Sequence, residues 1–383
     1  MKIIILKEKL KEGISIVERI STKSLNLPIL NNILIKTEKN FLNLISTDLE
    51  IGINWWSLAK IEEEGEITIP SKVFSSFINF LPNKPINLTL KNLNLKIDCE
   101  NYHTSIIGAS SEEFPIIPKV GKTEKISIQN KIFYQGLSQV VDIASSSMIK
   151  PEISGIYFLF QKNLITITAT DSFRLGEKKI YLDPVNNINI SKDYSFILPQ
   201  RTAKEIINIF NEREGEMIIY FSPNQVLFEN LFLETPHPEI QLVSRLIDGE
   251  YPSYQEIIPQ KNETQITFNV NEFINQIKSA AIFSGKTNEI KLEIDPLKNK
   301  LILFSQDQNI GEYESSLNAK ITGSPCKISF NYRFLLDGLL SIALSQGKNS
   351  EATLDLINSD KPGVLRPVDD NSYLYLIMPI KNN

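Results

Sequence analysis

Three amphipathic helices recur at nearly equal intervals along this chain, and this repetition constrains its fold more than any single motif. Each helix follows a punctuating residue, Pro70, Pro199 or Asn331. Apolar or small residues then occupy matching positions: Phe74, Phe77, Ile78 and Leu81; Ala203, Ile206, Ile207 and Phe210; Leu335, Gly338, Leu339 and Ile342. Residues three and four apart line one face of a helix. A repeat of about 130 residues has the length of a domain, not of a solenoid unit.

A second amphipathic helix is predicted earlier in each third. Its apolar positions are Leu10, Ile14, Val17 and Ile20; Phe133, Leu137, Val140, Val141 and Ala144; Phe273, Ile277, Ala280 and Ala281. Runs rich in β-branched and aromatic residues predict strands at Ile3–Leu6, Ile29–Ile35, Phe41–Ser46, Ile156–Phe160, Leu164–Ala169, Ile290–Ile294 and Lys300–Ser305. The predicted order is helix, strands, helix, strands, three times over.

An acid follows the second strand run of each third, at Asp48, Asp171 and Asp307. An aspartate side chain can accept hydrogen bonds from the backbone about two residues later, so these acids are interpreted as turn formers.

The composition is that of an ordinary globular protein, with 383 residues, 42% hydrophobic residues and a formal net charge of −5. The apolar start is too short for a signal peptide or a membrane span, so a soluble cytoplasmic protein is expected. Cys99 and Cys326 lie in different thirds without a neighbouring cluster of Cys or His, and neither a disulfide nor a metal is indicated. No glycine-rich phosphate loop is apparent, and no cofactor is expected.

Several strings, in order along the chain, resemble the bacterial β sliding clamps, the β subunit of DNA polymerase III. They are Leu27-Pro28-Ile29-Leu30, Thr47-Asp48-Leu49-Glu50, Glu113-Phe114-Pro115, the run Ala169 to Leu175, the run Asp248 to Tyr254 with Ile258-Pro259, and the ending Tyr375 to Lys381. Each string is weak alone. Their order and spacing cover essentially the full chain.

The resemblance implies an α+β fold of three similar clamp domains, with limits expected at 1–124, 125–252 and 253–383. Each domain would carry two inner α-helices and outer antiparallel β-sheets, and two chains would pair head to tail into a ring-shaped homodimer. The ring would encircle duplex DNA and confer processivity on the polymerase. It would be an accessory subunit, not an enzyme.

An acidic chain suits such a ring, because topology rather than tight phosphate binding would hold the DNA. Basic residues on the polar sides or at the ends of the predicted helices are candidates to face the double-stranded DNA: Lys23, Lys72, Lys150, Arg201, Lys204, Lys278 and Arg333. Solvated surface lysine is the competing interpretation for each. Ser24 stands where relatives commonly have an arginine.

The resemblance also implies a hydrophobic groove that receives short peptides from the DNA polymerase III α subunit, the clamp-loader δ subunit and other polymerases and repair proteins. By position its residues are Ile153, Thr170, Ser172, Phe173, Arg174, Leu175, Pro252, Ile257, Asn331, Phe334, Leu376, Met378, Pro379 and Ile380. Apolar side chains would anchor the peptide, and Arg174 or Asn331 would hydrogen-bond it. Without the resemblance, Met378 to Ile380 would be interpreted as the end of a core strand. Glu256 stands where relatives often have a base.

The resemblance places Ile282 and Phe283 against Tyr102 or His103 of a second copy, where sheet edges would join. Packing within one domain is the alternative for these residues. Two other classes of function remain open from sequence: an enzyme that uses Asp48, Asp171 or Asp307, and a monomeric peptide-binding adaptor.

Overall fold

Six α-helices and four antiparallel sheets form the described part of the chain. A computed structural model describes residues 1–21, 26–121, 124–147, 149–182, 193–211, 213–347 and 350–381. The helices are α1 (Lys7–Val17), α2 (Ser71–Phe80), α3 (Asn130–Ser138), α4 (Gln200–Phe210), α5 (Val270–Ala281) and α6 (Tyr332–Gln346). The helices predicted after Pro70, Pro199 and Asn331 are therefore confirmed.

The strands follow in chain order. They are β1 (Lys2–Leu6), β2 (Asn32–Glu38), β3 (Phe41–Thr47), β4 (Ile51–Leu58), β5 (Lys60–Glu63), β6 (Glu66–Pro70), β7 (Pro85–Lys91), β8 (Asn94–Cys99), β9 (Tyr102–Ile107), β10 (Lys125–Gln129), β11 (Gly155–Gln161), β12 (Leu164–Thr170), β13 (Arg174–Tyr181) and β14 (Tyr194–Pro199). The remainder are β15 (Glu216–Phe221), β16 (Gln225–Leu231), β17 (Pro238–Arg245), β18 (Thr264–Asn269), β19 (Glu289–Asp295), β20 (Lys300–Asp307), β21 (Gly311–Asn318), β22 (Lys320–Gly323), β23 (Cys326–Asn331), β24 (Glu351–Leu356), β25 (Gly363–Pro367) and β26 (Tyr373–Ile377).

One compact unit holds described residues of 1–131 and 208–246. It contains a five-stranded sheet, in the order β5-β1-β7-β8-β9, and an eight-stranded sheet, in the order β10-β15-β16-β17-β4-β3-β2-β6. Helix α1 packs on α2 and on β3 and β4 of the larger sheet. Its apolar stripe of Leu10, Ile14 and Val17 is buried, as the spacing predicts. Gly13 allows this packing, because a Cβ there would lie 2.3 Å from the Trp55 ring.

The other compact unit holds described residues of 132–182, 193–207 and 247–381. Its nine-stranded sheet runs β14-β11-β12-β13-β26-β25-β24-β18-β22, and its four-stranded sheet runs β21-β20-β19-β23. Helices α5 and α6 pack on each other, α5 against β20 and β21, and α6 against β25 and β26. Gly338 occupies the apolar stripe of α6 because a Cβ there would lie 2.6 Å from the Tyr375 ring.

Three predicted elements end elsewhere than expected. The first helix, predicted to include Ile20, ends at Val17. The predicted strand Ile29–Ile35 is wrong in its first part, since Pro28, which has no backbone N–H, begins a 3-10 turn that lasts to Asn31. The predicted helix that reaches Ala144 is wrong beyond Ser138. The β-branched pair at 140 and 141 disfavours a helix, and Val141–Ile143 forms a 3-10 turn instead. In the described ranges, no helix is long and apolar enough to cross a membrane.

Candidate functional site

A tight turn between β12 and β13 builds one side of the candidate site. The Asp171 Oδ1 atom accepts hydrogen bonds from the backbone N–H groups of Phe173 (2.9 Å) and Arg174 (3.0 Å). The Thr170 hydroxyl donates to the Arg174 carbonyl at 2.7 Å and accepts from the Ser172 N–H at 3.2 Å. Ser172 takes the left-handed conformation, with φ of +78°. As a result Phe173 projects outward, with 61% of its surface exposed.

Strand β26 brings the C-terminal motif beside this turn. In the antiparallel pairing of β13 with β26, Arg174 lies opposite Ile377 and Leu175 opposite Leu376. The Met378 N–H donates to the Phe173 carbonyl at 2.8 Å, which extends the pairing past the strand end. Residues about 200 positions apart in the sequence therefore meet at one edge of the unit.

A buried cluster of Leu175, Tyr254 and Leu376 lies under the turn, with half-buried Met378 and Ile258 packed on it. Burial raises the pKa of Tyr254, as does its hydrogen bond to Glu177 Oε2, so the phenol stays protonated. Its hydroxyl donates to Glu177 at 2.5 Å and accepts from Thr168 at 3.0 Å. The floor of the site is thus apolar, with its polar atoms paired beneath.

Tyr251 and Tyr157 form the adjoining side of this cluster. Their rings stack at a centroid distance of 4.9 Å and an angle of 15°. Burial raises the pKa of the Tyr251 phenol. The sequence did not point to these tyrosines or to Tyr254 as site residues, although Tyr251 and Tyr254 lie within two residues of the predicted Pro252. Only the fold brings Tyr157 to them.

Phe334 and Arg174 form a further part of the site, here called the wall. The Phe173 and Phe334 rings stack at 6.2 Å, and the Arg174 guanidinium carbon lies 4.7 Å from the centre of the Phe334 ring. Arg174 Nε donates to Asp171 Oδ2 at 2.9 Å, Nη1 donates to Asp337, and Nη2 donates to the Asp142 carbonyl at 3.1 Å. Burial opposes the charge, but Tyr375 and Asp171 outweigh it and raise the pKa of Arg174 above its ordinary value. Each guanidinium nitrogen thus has a partner within the protein.

The remaining predicted groove residues differ in exposure and in partners. Ile153 and Thr170 are buried, whereas Pro252, Ile257 and Ser172 are exposed. The Asn331 Oδ1 atom caps α6 by accepting from the Arg333 N–H at 3.0 Å. Ile380 donates its N–H to the Ser329 carbonyl at 2.8 Å and, unlike the cluster residues, lines a separate cavity over β19, β20 and β23. Pro379 is half-buried between Met378 and Ile380.

The predicted DNA-facing bases lie on exposed surface where the structure describes them: Lys72, Lys150, Arg201, Lys204, Lys278 and Arg333. Lys204 pairs with Asp142 at 2.9 Å. The Arg333 guanidinium lies 5.8 Å from the centre of the Tyr332 ring. Lys23 and Ser24 lie outside the described residues.

The predicted interface residues lie at or beside sheet edges. Tyr102 and His103 begin β9, the last strand of the five-stranded sheet, and His103 Nδ1 lies 2.7 Å from Asp98. Ile282 follows α5 and is 64% exposed. Phe283 stacks on Tyr313 of β21, an edge strand of the four-stranded sheet, at 5.9 Å.

The turn acids act on the backbone, as the sequence predicts. Asp48 accepts from the N–H groups of Glu50 (3.0 Å) and Ile51 (2.7 Å), and Asp307 accepts from Asn309 (2.8 Å). Among the described residues, no three His, Cys, Asp or Glu are grouped to hold a metal ion, and Cys99 and Cys326 are free thiols.

Comparison with known proteins identifies the family. Models of the DNA polymerase III beta subunit match in order: the N-terminal domain at residues 1–118, the central domain at 127–253 and the C-terminal domain at 255–381. The beta sliding clamp of Staphylococcus epidermidis is 29% identical over 368 residues, which cover 93% of this chain and 92% of that protein. The beta sliding clamp of Staphylococcus aureus is 28% identical over 367 residues, with 93% and 92% covered.

A solved structure shows the same fold. The DNA polymerase sliding clamp from Bacillus subtilis superposes with a TM-score of 0.92 at 25% identity, and the match covers 100% of both chains. By its three matched domains, this chain belongs to the DNA polymerase III beta subunit family, the sliding clamps.

Proposed function

We propose that two copies of this chain close a ring around double-stranded DNA in the cytoplasm, without sequence preference, and tether replication proteins to it. The chain is a DNA polymerase sliding clamp, the processivity factor of DNA polymerase III and a subunit without catalysis of its own. The hypothesis of an enzyme that uses Asp48, Asp171 or Asp307 is therefore wrong. The observation that carries the ring is the succession of three clamp domains along the chain.

The proposed domain limits are 1–124, 125–252 and 253–383. The ranges of the three family matches support them: the first limit falls in the gap at 119–126, and the central match ends at residue 253, one residue after the second limit.

The proposed tethering site is the groove at the β12–β13 turn. Exposed Phe173 and Ile257 lie within three residues of Leu175 and Tyr254, which belong to the buried apolar floor. This arrangement suits apolar anchors of a short peptide. The partners would be the polymerase III α subunit, the clamp-loader δ subunit and other polymerases and repair proteins. The groove residues would be Ile153, Thr170, Ser172, Phe173, Arg174, Leu175, Pro252, Ile257, Asn331, Phe334, Leu376, Met378, Pro379 and Ile380. Exposed Glu256 would add negative charge beside Ile257.

The proposed DNA contacts are weak. Exposed Lys72, Lys150, Arg201, Lys278 and Arg333 can reach phosphates through flexible side chains, whereas Lys204 is partly neutralised by Asp142. Lys23 completes the proposed set. With a net charge of −5, the chain is suited to topological retention rather than to tight phosphate binding.

The proposed subunit interface joins the edges at β9 and β21. Both are terminal strands of their sheets, with backbone groups open to a further strand. Tyr102 and His103 of one copy would face Ile282 and Phe283 of the other. Covering Ile282, which is 64% exposed, would bury apolar surface.

Retention on circular DNA tests the ring. The protein is loaded onto a nicked plasmid by the clamp loader of the same bacterium with ATP, and gel filtration then separates bound from free clamp. We expect the clamp to stay on circles in about 0.5 M salt and to be lost after a restriction enzyme cuts the circle, because salt screens contacts but not topology. Equal loss from circular and linear DNA would refute the ring. Sedimentation in solution separates a dimer from the monomeric adaptor.

Substitution of an exposed groove residue tests the tether. Phe173→Ala should weaken binding of the α and δ subunits to the immobilised clamp by about tenfold or more, because a large apolar anchor is removed. Tyr181→Ala serves as the matched control, because Tyr181 is another exposed aromatic residue and lies at the far end of β13. Unchanged binding by Phe173→Ala would place the partner site elsewhere.

A further inference from the structure

We infer that Asp337 is a positioning residue for the peptide groove, and that Arg174 acts there as a fixed wall rather than as a hydrogen-bond donor to the partner. This inference rests on the proposed groove. It revises our expectation that Arg174 bonds the peptide.

The contacts of Arg174 within the protein hold its side chain in place. Its side chain is only 10% exposed, and it is fixed from three directions: by the turn acid Asp171, by the carbonyl of Asp142 and by the carboxylate of Asp337. The three contacts use one N–H group on each nitrogen and so fix the orientation of the guanidinium, and burial of the side chain limits the access of a new acceptor to the two remaining N–H groups. A peptide carbonyl or glutamine side chain that reoriented the guanidinium would have to break a charge-assisted hydrogen bond, which is among the stronger contacts of a protein.

Asp337 connects Arg174 to helix α6. Asp337 lies one helical turn after Phe334 on α6, in the region matched by the C-terminal domain, whereas Arg174 lies in the region matched by the central domain. The ion pair therefore joins α6 to β13 across two domains of the chain. It also holds the guanidinium over the Phe334 ring, at 4.7 Å from the ring centre.

The positive charge of Arg174 is balanced within the wall. One guanidinium faces two carboxylates, those of Asp171 and Asp337, so no net positive charge remains at this point. What the wall offers a partner is the pair of stacked rings of Phe173 and Phe334. The groove should accordingly recognise its peptide at this wall by apolar surface and shape.

Asp337→Asn tests the inference, with the α subunit of the same bacterium as the probe and surface plasmon resonance on the immobilised clamp as the readout. If Asp337 positions the wall, the α subunit should bind about three- to tenfold more weakly, because the ion pair that fixes the guanidinium is lost. If Arg174 is instead a donor to the peptide, the neutral amide oxygen of the asparagine competes less strongly for its N–H groups, and binding should strengthen or stay unchanged. The positioning role thus predicts weaker binding, and the donor role predicts equal or stronger binding.

Three controls make the result decisive. Asp337→Glu retains the charge and should keep most of the affinity. Glu62→Gln removes the carboxylate of another ion pair, with Lys2 at 2.8 Å in the five-stranded sheet, and should leave binding unchanged. Retention of Asp337→Asn on circular DNA should match that of the wild type, since the ring does not depend on this contact. Stronger or unchanged binding by Asp337→Asn overturns the inference alone, whereas failure of the wild type to bind the α subunit overturns the groove itself.

Discussion

Asp48 and Asp171 hold the same turn in two different domains, with the same set of hydrogen bonds. Each accepts two backbone N–H bonds through Oδ1, and each donates its own N–H to the carbonyl three residues later, at 3.1 and 3.3 Å. The preceding threonines, Thr47 and Thr170, close the turn in the same way. The residue after each aspartate has a positive φ, +77° at Leu49 and +78° at Ser172. The bonds to Oδ1, the bond from the aspartate N–H, the threonine contacts and the positive φ therefore all repeat, whereas the sequence shows only a Thr-Asp pair.

Asp48→Ala should destabilise the protein by about 1–2 kcal/mol, because two backbone N–H groups lose their acceptor. Thermal unfolding followed by circular dichroism measures the effect. Glu50→Ala, which removes an exposed carboxylate two residues later, is the control and should be nearly neutral. An equal loss in both variants would show that the turn does not depend on the Asp48 side chain.

Gly338→Ala should also destabilise, although alanine favours a helix interior over glycine by about 1 kcal/mol. The new methyl group would lie 2.6 Å from the Tyr375 ring, and overpacking of this kind costs about 1–3 kcal/mol. Ser345→Ala on the exposed side of the same helix should be neutral or slightly stabilising. A higher melting temperature for Gly338→Ala would mean that Tyr375 shifts at no cost.

Arg213→Met should lower stability by about 2–4 kcal/mol, because it leaves the partly buried carboxylate of Glu239 without its cation and leaves Glu12 with Lys9 alone. Arg213 bonds Glu12 at 2.6 Å and Glu239 at 2.8 Å, and its side chain is 15% exposed. Arg213→Lys keeps the charge and should cost less. Thermal unfolding at low and high salt checks both variants, and equal stability of Met and Lys at position 213 would contradict the prediction.

Asp370 should contribute a pH-dependent part of the stability. Burial opposes its ionisation, but hydrogen bonds from Ser372 and Lys178 outweigh burial and lower the pKa of the carboxyl below its ordinary value of 3.8. Because the pKa is lower in the folded protein, the stabilisation is complete above the unfolded-state pKa and is lost as the pH falls through the folded-state pKa.

Asp370→Asn should therefore lose less melting temperature than the wild type between about pH 5 and about pH 3. Asp360→Asn, at an exposed position after β24, is the control, measured over the same pH range. Parallel pH profiles for Asp370→Asn and the wild type would show that the Lys178–Asp370 contact, at 3.0 Å, adds no acid-sensitive stability.

Local chemistry made the helices and turns predictable. The spacing of Leu335, Leu339 and Ile342 defines a helix face without reference to the rest of the chain, and Asp171 bonds residues two and three positions ahead. The same spacing failed at Val140 and Val141. Their β-branched side chains are buried as expected, but a 3-10 turn follows the helix there instead of a further helical turn.

Contacts between distant residues were not predictable from the sequence. Arg174 was identified as a groove residue, but its partner Asp337 lies 163 positions away and belongs to none of the strings that resemble the clamps. Gly338 could be read as part of an apolar stripe, but the Tyr375 ring that requires a glycine comes from β26. Such pairs exist only after the sheets have formed.

The pairings of β4 with β17 and of β13 with β26 join neighbouring domains of one chain through five matched residues each. Separating two domains at such a junction would require all the backbone hydrogen bonds of the strand pairing to break together. The proposed interface between two copies, at β9 and β21, would have no covalent linker to re-form it. A protein that opens the proposed dimer by force should therefore separate the two copies and leave the three domains of each chain joined.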